Sequence, residues 1–327
     1  RGFLRFKAIA ITLLLLSSIV VFNNKAAASH AVGIDLTYFC LGGNQYEFTV
    51  NFYRDCDGVS APSSAFISIS SASCGITTST SLARVSTIEV SAICPGQLGS
   101  SSCSGGNLPG IQQYTYRGNF TLPANCTDWV ISYNLCCRNS AITNLQSPGS
   151  QSLYVDARLN NANGLCNNSP FFTSLPTPFL CAGQPFNYNH GAIDIDGDSL
   201  VYTLIPPRTS ATGNIPYSGS FSATNPLSTT SGFGFNTQTG QMSFTPTNPQ
   251  QAVVTVRVDE YRNGVLIGSV IRDLQLVVIN CNNQLPTASG INGTSGVGGA
   301  YDISVCAGFP LCFDISSNDV NAGQQVT

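Results

Sequence analysis

The chain has 327 residues, of which 43% are hydrophobic and only 9% charged, with thirteen cysteines and a formal charge of −3. Both lysines, Lys7 and Lys25, precede Ser29, so from Ser29 onward nine arginines face sixteen acids, 9 − 16 = −7. That balance excludes nucleic acid and anionic membrane surfaces as partners, because both are held by dense Lys/Arg patches.

Arg1, Arg5 and Lys7 form a basic start, Ala8–Val21 is almost wholly apolar, and Ala26-Ala27-Ala28 supplies small residues for cleavage before Ser29. The pattern predicts a secretory signal peptide over 1–28. Its apolar run of 14 residues is shorter than the roughly 20 that span a bilayer, so no transmembrane span is expected after cleavage. Export turns the cysteines into a disulfide framework. A metal framework would need close C-x-x-C pairs with histidines, and only His30 and His190 exist.

Residues 29–168 are expected to form a first, disulfide-rich β-sandwich domain. Tyr46, Phe48, Val50 and Phe52 alternate with Glu47, Thr49 and Asn51, which gives a strand one apolar face. Trp129–Leu135 and Leu153–Leu159 show the same alternation. Cys94 and Cys103 flank a Gly/Ser loop and are placed to staple its base. Cys136 and Cys137 are adjacent, and on a strand neighbours point to opposite faces, so different partners are expected for them. Arg54, Asp55 and Arg138 are expected to pair within the core.

Residues 169–284 are expected to form a second sandwich. Val253–Tyr261 and Val265–Ile279 are apolar runs joined through Asn263-Gly264, the strongest short-range hairpin signal. Cys181 and Cys281 lie at the two ends of this segment, positioned to clamp it. Cys181-Ala182-Gly183-Gln184-Pro185 is followed, thirteen residues after its cysteine, by Asp194. Cys306-Ala307-Gly308-Phe309-Pro310 and Asp319 repeat that spacing at an offset of 125 residues. The period predicts a tandem array, with a linker over 285–300 and the start of a further Ig-like repeat over 301–327.

Asp194, Asp196 and Asp198, with Gly197 between them, present carboxylates at i, i+2 and i+4. Such oxygens suit Ca²⁺, and Asp259 and Glu260 are candidate further ligands. The loop is no EF-hand: Ser199 and Ile205 occupy its sixth and twelfth positions. The alternative is an Asp/Gly turn capped by its own side chains. No Gly-x-Ser-x-Gly, His-Glu-x-x-His or phosphate loop occurs, and His190 beside Gly191 is expected to be solvated or hydrogen-bonded. A non-catalytic role is therefore expected.

Asp194–Tyr202, Thr239–Pro246 and Val253–Asp259 resemble a dystroglycan-type cadherin-like, or immunoglobulin-like, unit. Ser29–Gly33, Tyr53–Gly58, Asp128–Tyr133 and Cys136–Asn144 resemble the N-terminal region of large Bacteroidota surface proteins. Those proteins carry a gliding-motility-associated C-terminal domain and leave the cell by type IX secretion. The resemblance implies tandem antiparallel β-sandwich domains on the outer face of the outer membrane, acting as the structural or adhesive stalk of a repeat adhesin. It implies the secretion and anchoring machinery as partners, with a surface polysaccharide or protein as ligand. Two alternatives stand beside it: an accessory region of an enzyme whose catalytic domain lies beyond residue 327, and a carbohydrate-binding module with Trp129, Tyr133, Tyr114 or Tyr116 as stacking platforms.

Overall fold

The computed structural model describes residues 31–93, 95–176, 179–281, 287–288 and 317–318. The expected signal peptide, Cys94, and the second copy of the repeat, with Cys306, Asp319 and Asn321, lie outside the described residues. Within them the chain is all-β and antiparallel but for one short pairing, with four brief 3-10 turns and no α-helix.

The first seven strands are β1 (Ala31–Gly42), β2 (Gln45–Asp55), β3 (Ser64–Ser71), β4 (Ile76–Glu89), β5 (Ile111–Thr121), β6 (Trp129–Leu135) and β7 (Leu153–Leu159). They hydrogen-bond in the order β1-β2-β5-β4-β3-β6-β7. β4 makes the corner of this run. Its first half, through Ala83, pairs with β3, and its second half pairs with β5 across a bulge between Arg84 and Ser86. A bulge bends a strand and lets it pass from one layer to the next.

A strand far downstream closes the ladder. β15 (Gln250–Arg262) and β16 (Val265–Ile279) form the expected hairpin, with Asn263 at φ 52° and Gly264 at φ 80° in its turn. On the edge away from β15, β16 serves three strands in succession. Gly268–Val270 pairs with β7, Arg272–Leu274 with β1, and Val277–Ile279 runs parallel to β9 (Phe179–Cys181). β1 and β7 both pair with β16, one after the other along it, so eight strands form a closed ladder around one core. The sheet therefore runs continuously across residue 168, where composition suggests a domain boundary.

Alternation decides what enters the core. Tyr46, Phe48, Val50 and Phe52 of β2 are all 2% exposed or less, beside Ile67, Ile69, Trp129, Ile131 and Val155. Burial of each such side chain stabilises by about 1.5–3 kcal/mol. This bears on the carbohydrate-binding alternative. Trp129, Tyr133, Tyr114 and Tyr116 lie within this core, and a stacking platform needs an open ring face. The indole Nε1–H of Trp129 donates instead to Asn161 Oδ1 at 3.0 Å.

The remaining strands are β8 (Phe171–Phe172), β10 (Phe186–Asn189), β11 (Ala192–Ile193), β12 (Ser199–Ile205), β13 (Gly234–Phe235) and β14 (Gln241–Phe244). β12 extends the large sheet beyond β15, β8 pairs with β11, and β10-β14-β13 form a three-stranded sheet. Tyr188, Met242 and Phe244 of that small sheet join the same apolar cluster as Val256, Val258 and Leu274. The turn before β14 requires glycine. Gly240 has φ +71°, and a Cβ there would meet Tyr202 Cδ1 at 2.6 Å.

Five disulfides staple the described residues, as suits an oxidising, extracytoplasmic compartment. Cys181–Cys281 forms as expected, and Cys40–Cys166 and Cys74–Cys126 tie the first segment. Two expectations are corrected. Cys103 bonds Cys56 rather than Cys94, because its loop folds back on the start of β5. There the Cys56 N–H donates to Gly110 O at 2.9 Å, and Ser102 Oγ accepts from the Gly110 N–H at 3.1 Å. Cys136 and Cys137 bond each other. They lie just past the end of β6, where strand alternation no longer sends neighbours to opposite faces.

Arg138 does pair inside, with Asp273. Arg54 does not meet Asp55: its guanidinium donates to Gly58 O at 2.5 Å and Gln112 Oε1 at 2.9 Å, while Asp55 Oδ1 accepts from the Asp57 N–H. His190 is neither solvated nor hydrogen-bonded. It is fully buried, and neither ring nitrogen has a partner. Burial first, and the nearby Arg272 second, hold its pKa down at about 3.

Candidate functional site

The densest group of ionisable side chains sits where β12 meets the β15–β16 hairpin. β12 pairs antiparallel with β15, Ser199 opposite Tyr261. The loop ahead of Ser199 is thereby laid against the last residues of β15. The result brings oxygens of Asp194, Asp196, Asp198 and Glu260 within 4.8 Å of one another. Gly197, at φ +83°, turns the loop between its second and third acids.

Four of the five expected ligands converge, and Asp259 does not. It neighbours Glu260 along a strand, so it faces the other side of the sheet. There it accepts from Arg257 Nε at 3.0 Å and Nη2 at 2.8 Å.

The residue that sequence reasoning missed is Arg262. Two positions after Glu260, it lies on the same face of β15, a period-2 signal that was legible. Its guanidinium binds Asp198 Oδ1 at 2.8 Å and Oδ2 at 2.5 Å, Asp196 Oδ2 at 3.1 Å and Asn167 Oδ1 at 2.7 Å. Asn167 turns its amide the other way, donating to both Glu260 oxygens at 2.8 and 2.9 Å. Asn168 holds Asp196 with its backbone N–H and its side chain. Asp194 Oδ1 accepts from the backbone N–H groups of Asp196 and Asp198, both at 3.0 Å. Its Oδ2 is buried without a partner.

The electrostatics follow from these contacts. The hydrogen bond from Arg262 holds the Asp198 carboxyl below the usual range, and the same contact raises the guanidinium pKa. Glu260 goes the other way. Burial lifts its pKa to about 9 against the opposing hydrogen bonds from Asn167, and contact with Asp198 and the charge of Asp194 add to the rise. At neutral pH Glu260 is a protonated acid beside an ionised Asp198.

In donor type the set suits a hard cation such as Ca²⁺. In geometry, Arg262 already supplies the positive charge, and Asn167 occupies both Glu260 oxygens. A divalent ion and the guanidinium compete for the same oxygens of Asp196 and Asp198. The expected result is that Arg262→Ala lowers stability by about 1–3 kcal/mol. Added CaCl₂ then restores part of the loss, while EDTA leaves the unmodified protein unchanged. Melting curves of both proteins in CaCl₂ and in EDTA check this; a variant indifferent to calcium means the loop is an internally capped turn.

No protein-family model matches the chain, and no curated protein matches it in sequence.

Proposed function

We propose that this chain is a non-catalytic segment of an extracellular surface protein, a stalk that transmits tension and holds other parts of the protein away from the cell. The observation that carries this reading is the serial arrangement of two disulfides. Cys40–Cys166 spans 126 residues, and Cys181–Cys281 spans 100 residues directly after it. Tension along the backbone enters through β1, crosses the first bridge, follows the segment 166–181, and crosses the second. Most of the chain lies off that covalent path and cannot be drawn out. The likeness of the segments at Ser29, Tyr53, Asp128 and Cys136 to large Bacteroidota surface proteins supports the same reading, with the outer face of the outer membrane as its location.

Single-molecule stretching of the mature chain, tethered at its termini, tests the mechanism. Reduction frees both loops, 126 and 100 residues, and adds roughly 750–800 Å to the extended length at 3.3–3.6 Å per residue. Equal extension with and without reductant removes the mechanical basis. Antibody labelling of intact cells tests the location, since a chain confined to the periplasm is not labelled.

A further inference from the structure

We propose that the outer face of β1, β2 and β5 is a binding groove for an uncharged glycan. This stands apart from the mechanical reading. The face is built from cross-strand rows, in which Asp35 sits opposite Asn51 and Asn51 opposite Thr115, and Thr37 sits opposite Thr49 and Thr49 opposite Arg117. The segment around β8 and β11 stands beside it as a wall. Together they enclose a cleft of about 480 Å³, within the usual size range of small-ligand sites.

Its chemistry is mixed in a specific way. Hydroxyl and amide groups of Thr37, Thr49 and Gln113 line it. The charges at one end, Glu47 and Arg117, pair with each other at 3.4 Å, so the surface offers no net charge to an ionic ligand. The wall is apolar and open, with Phe171 38% and Ile195 53% exposed, and Phe39 at the end of the floor is 45% exposed. Hydrogen-bonding groups below and a ring face alongside suit a sugar, whose hydroxyls lie at its rim and whose C–H groups form an apolar face.

The floor is held rigid from beneath. Asn51 donates to the buried Asp35 Oδ1 at 3.0 Å, and its own Oδ1 accepts from Gln113 Nε2 and Thr115 Oγ1, both at 3.2 Å. That fixes the Gln113 amide nitrogen against Asn51 and Thr115. Asp35 in turn pairs with the buried Arg272 at 3.3 Å, and the Arg272 guanidinium lies 4.5 Å from the ring centre of Phe172 in the wall. One buried pair thus braces both floor and wall, which lowers the ordering cost of binding.

The closed ladder argues against an extended peptide as the occupant. β2 is paired along its length with β1 and β5, and beyond Asp35 the outer edge of β1 is taken up by Asn168 and Ser169, which accept from the Cys40 and Tyr38 N–H groups, so an extended peptide finds little edge to join as an added strand. Recognition there must come from side chains.

Native gel electrophoresis through neutral polysaccharides (galactomannan, xyloglucan, hydroxyethyl cellulose) and charged ones (alginate, polygalacturonate) tests the proposal with the mature chain. Retardation by at least one neutral polysaccharide is expected. Phe171→Ala and Thr49→Val each weaken it about tenfold, with an unchanged melting temperature. Retardation by charged polysaccharides alone, by none, or equally in both variants overturns it. Both substitutions lie outside the apolar core, so an unfolded variant is not the expected outcome, and a third at the exposed Phe39 (F39A) reads the floor end of the groove independently.

Discussion

Arg138→Met is expected to remove about 3–5 kcal/mol of stability, the usual cost of leaving one member of a buried ion pair unpaired. The guanidinium meets Asp273 in a two-pronged contact, Nη1 to Oδ1 at 2.8 Å and Nη2 to Oδ2 at 2.9 Å. Both side chains are almost fully inaccessible, at 2% and 3%. Nε donates to Ser152 O at 3.1 Å, and the Thr255 hydroxyl donates to Asp273 Oδ2 at 2.8 Å. The pair therefore fastens the loop after β6 to the middle of β16, the strand that closes the ladder. Removing Arg138 leaves a carboxylate in the core with one hydroxyl as its donor. Removing Asp273 as well leaves neither member of the pair as an unpaired buried charge, so the double variant Arg138→Met/Asp273→Leu loses much less than the sum of the single changes. Urea unfolding of the oxidised protein measures all three. An Arg138→Met loss below about 1 kcal/mol would show that the loop is fastened by something else.

Local patterning made much of this fold legible. β6 and β7 run from Trp129 to Leu135 and from Leu153 to Leu159, as their alternation implies, because each buries one face and alternation records that directly. The Asn263-Gly264 turn and the Cys181–Cys281 clamp were legible for the same reason, since local chemistry specifies them. The closure was not. β16 reads simply as one strand of a hairpin, and nothing in its residues names β7, β1 and β9 as successive partners. A trace of it is present: Arg272 and Asp273 interrupt an apolar run, and charges there imply that both faces are covered and that internal partners exist. The candidate site was half legible. The three aspartates announce themselves, but the choice between Asp259 and Glu260 depends on which face β15 turns to the loop. The aromatic residues were ambiguous by type, because Trp129 and Tyr116 suit a core as well as a sugar, and the alternation around Trp129 already favoured the core in which both lie.

The stability of the mature chain is expected to form a plateau between about pH 4.5 and 6.5 and to fall on either side, with a different residue responsible for each limb. His190 sets the acid limb. Its folded pKa of about 3 lies below its ordinary 6.5, so in that interval the unfolded chain binds the extra proton. The stability it contributes is complete above 6.5 and is lost as the pH falls toward 3. Asp128 and Asp198, both held below their ordinary 3.8 by hydrogen bonds, add to the loss only under more acidic conditions. Between pH 4.5 and 4, below the plateau, the acid limb therefore belongs to His190. Glu260 sets the alkaline limb, and Asp35, whose carboxyl burial also raises, acts in the same direction. The folded pKa of Glu260, about 9, lies above its ordinary 4.5, so here the folded chain binds the extra proton. That contribution is complete below 4.5 and is lost as the pH rises through 9. Where the windows overlap, the two slopes oppose each other, which produces the plateau. Either limb alone has a limiting slope of about 1.4 kcal/mol per pH unit, the value for one proton. Glu260→Gln keeps an acceptor for Asn167 and removes the titration, so it flattens the alkaline limb and exposes the acid limb from pH 6.5 downward. His190→Leu does the reverse. Urea midpoints from pH 4 to 9 for the three proteins separate the limbs. A Glu260→Gln protein that still weakens with alkali would assign that limb to another group.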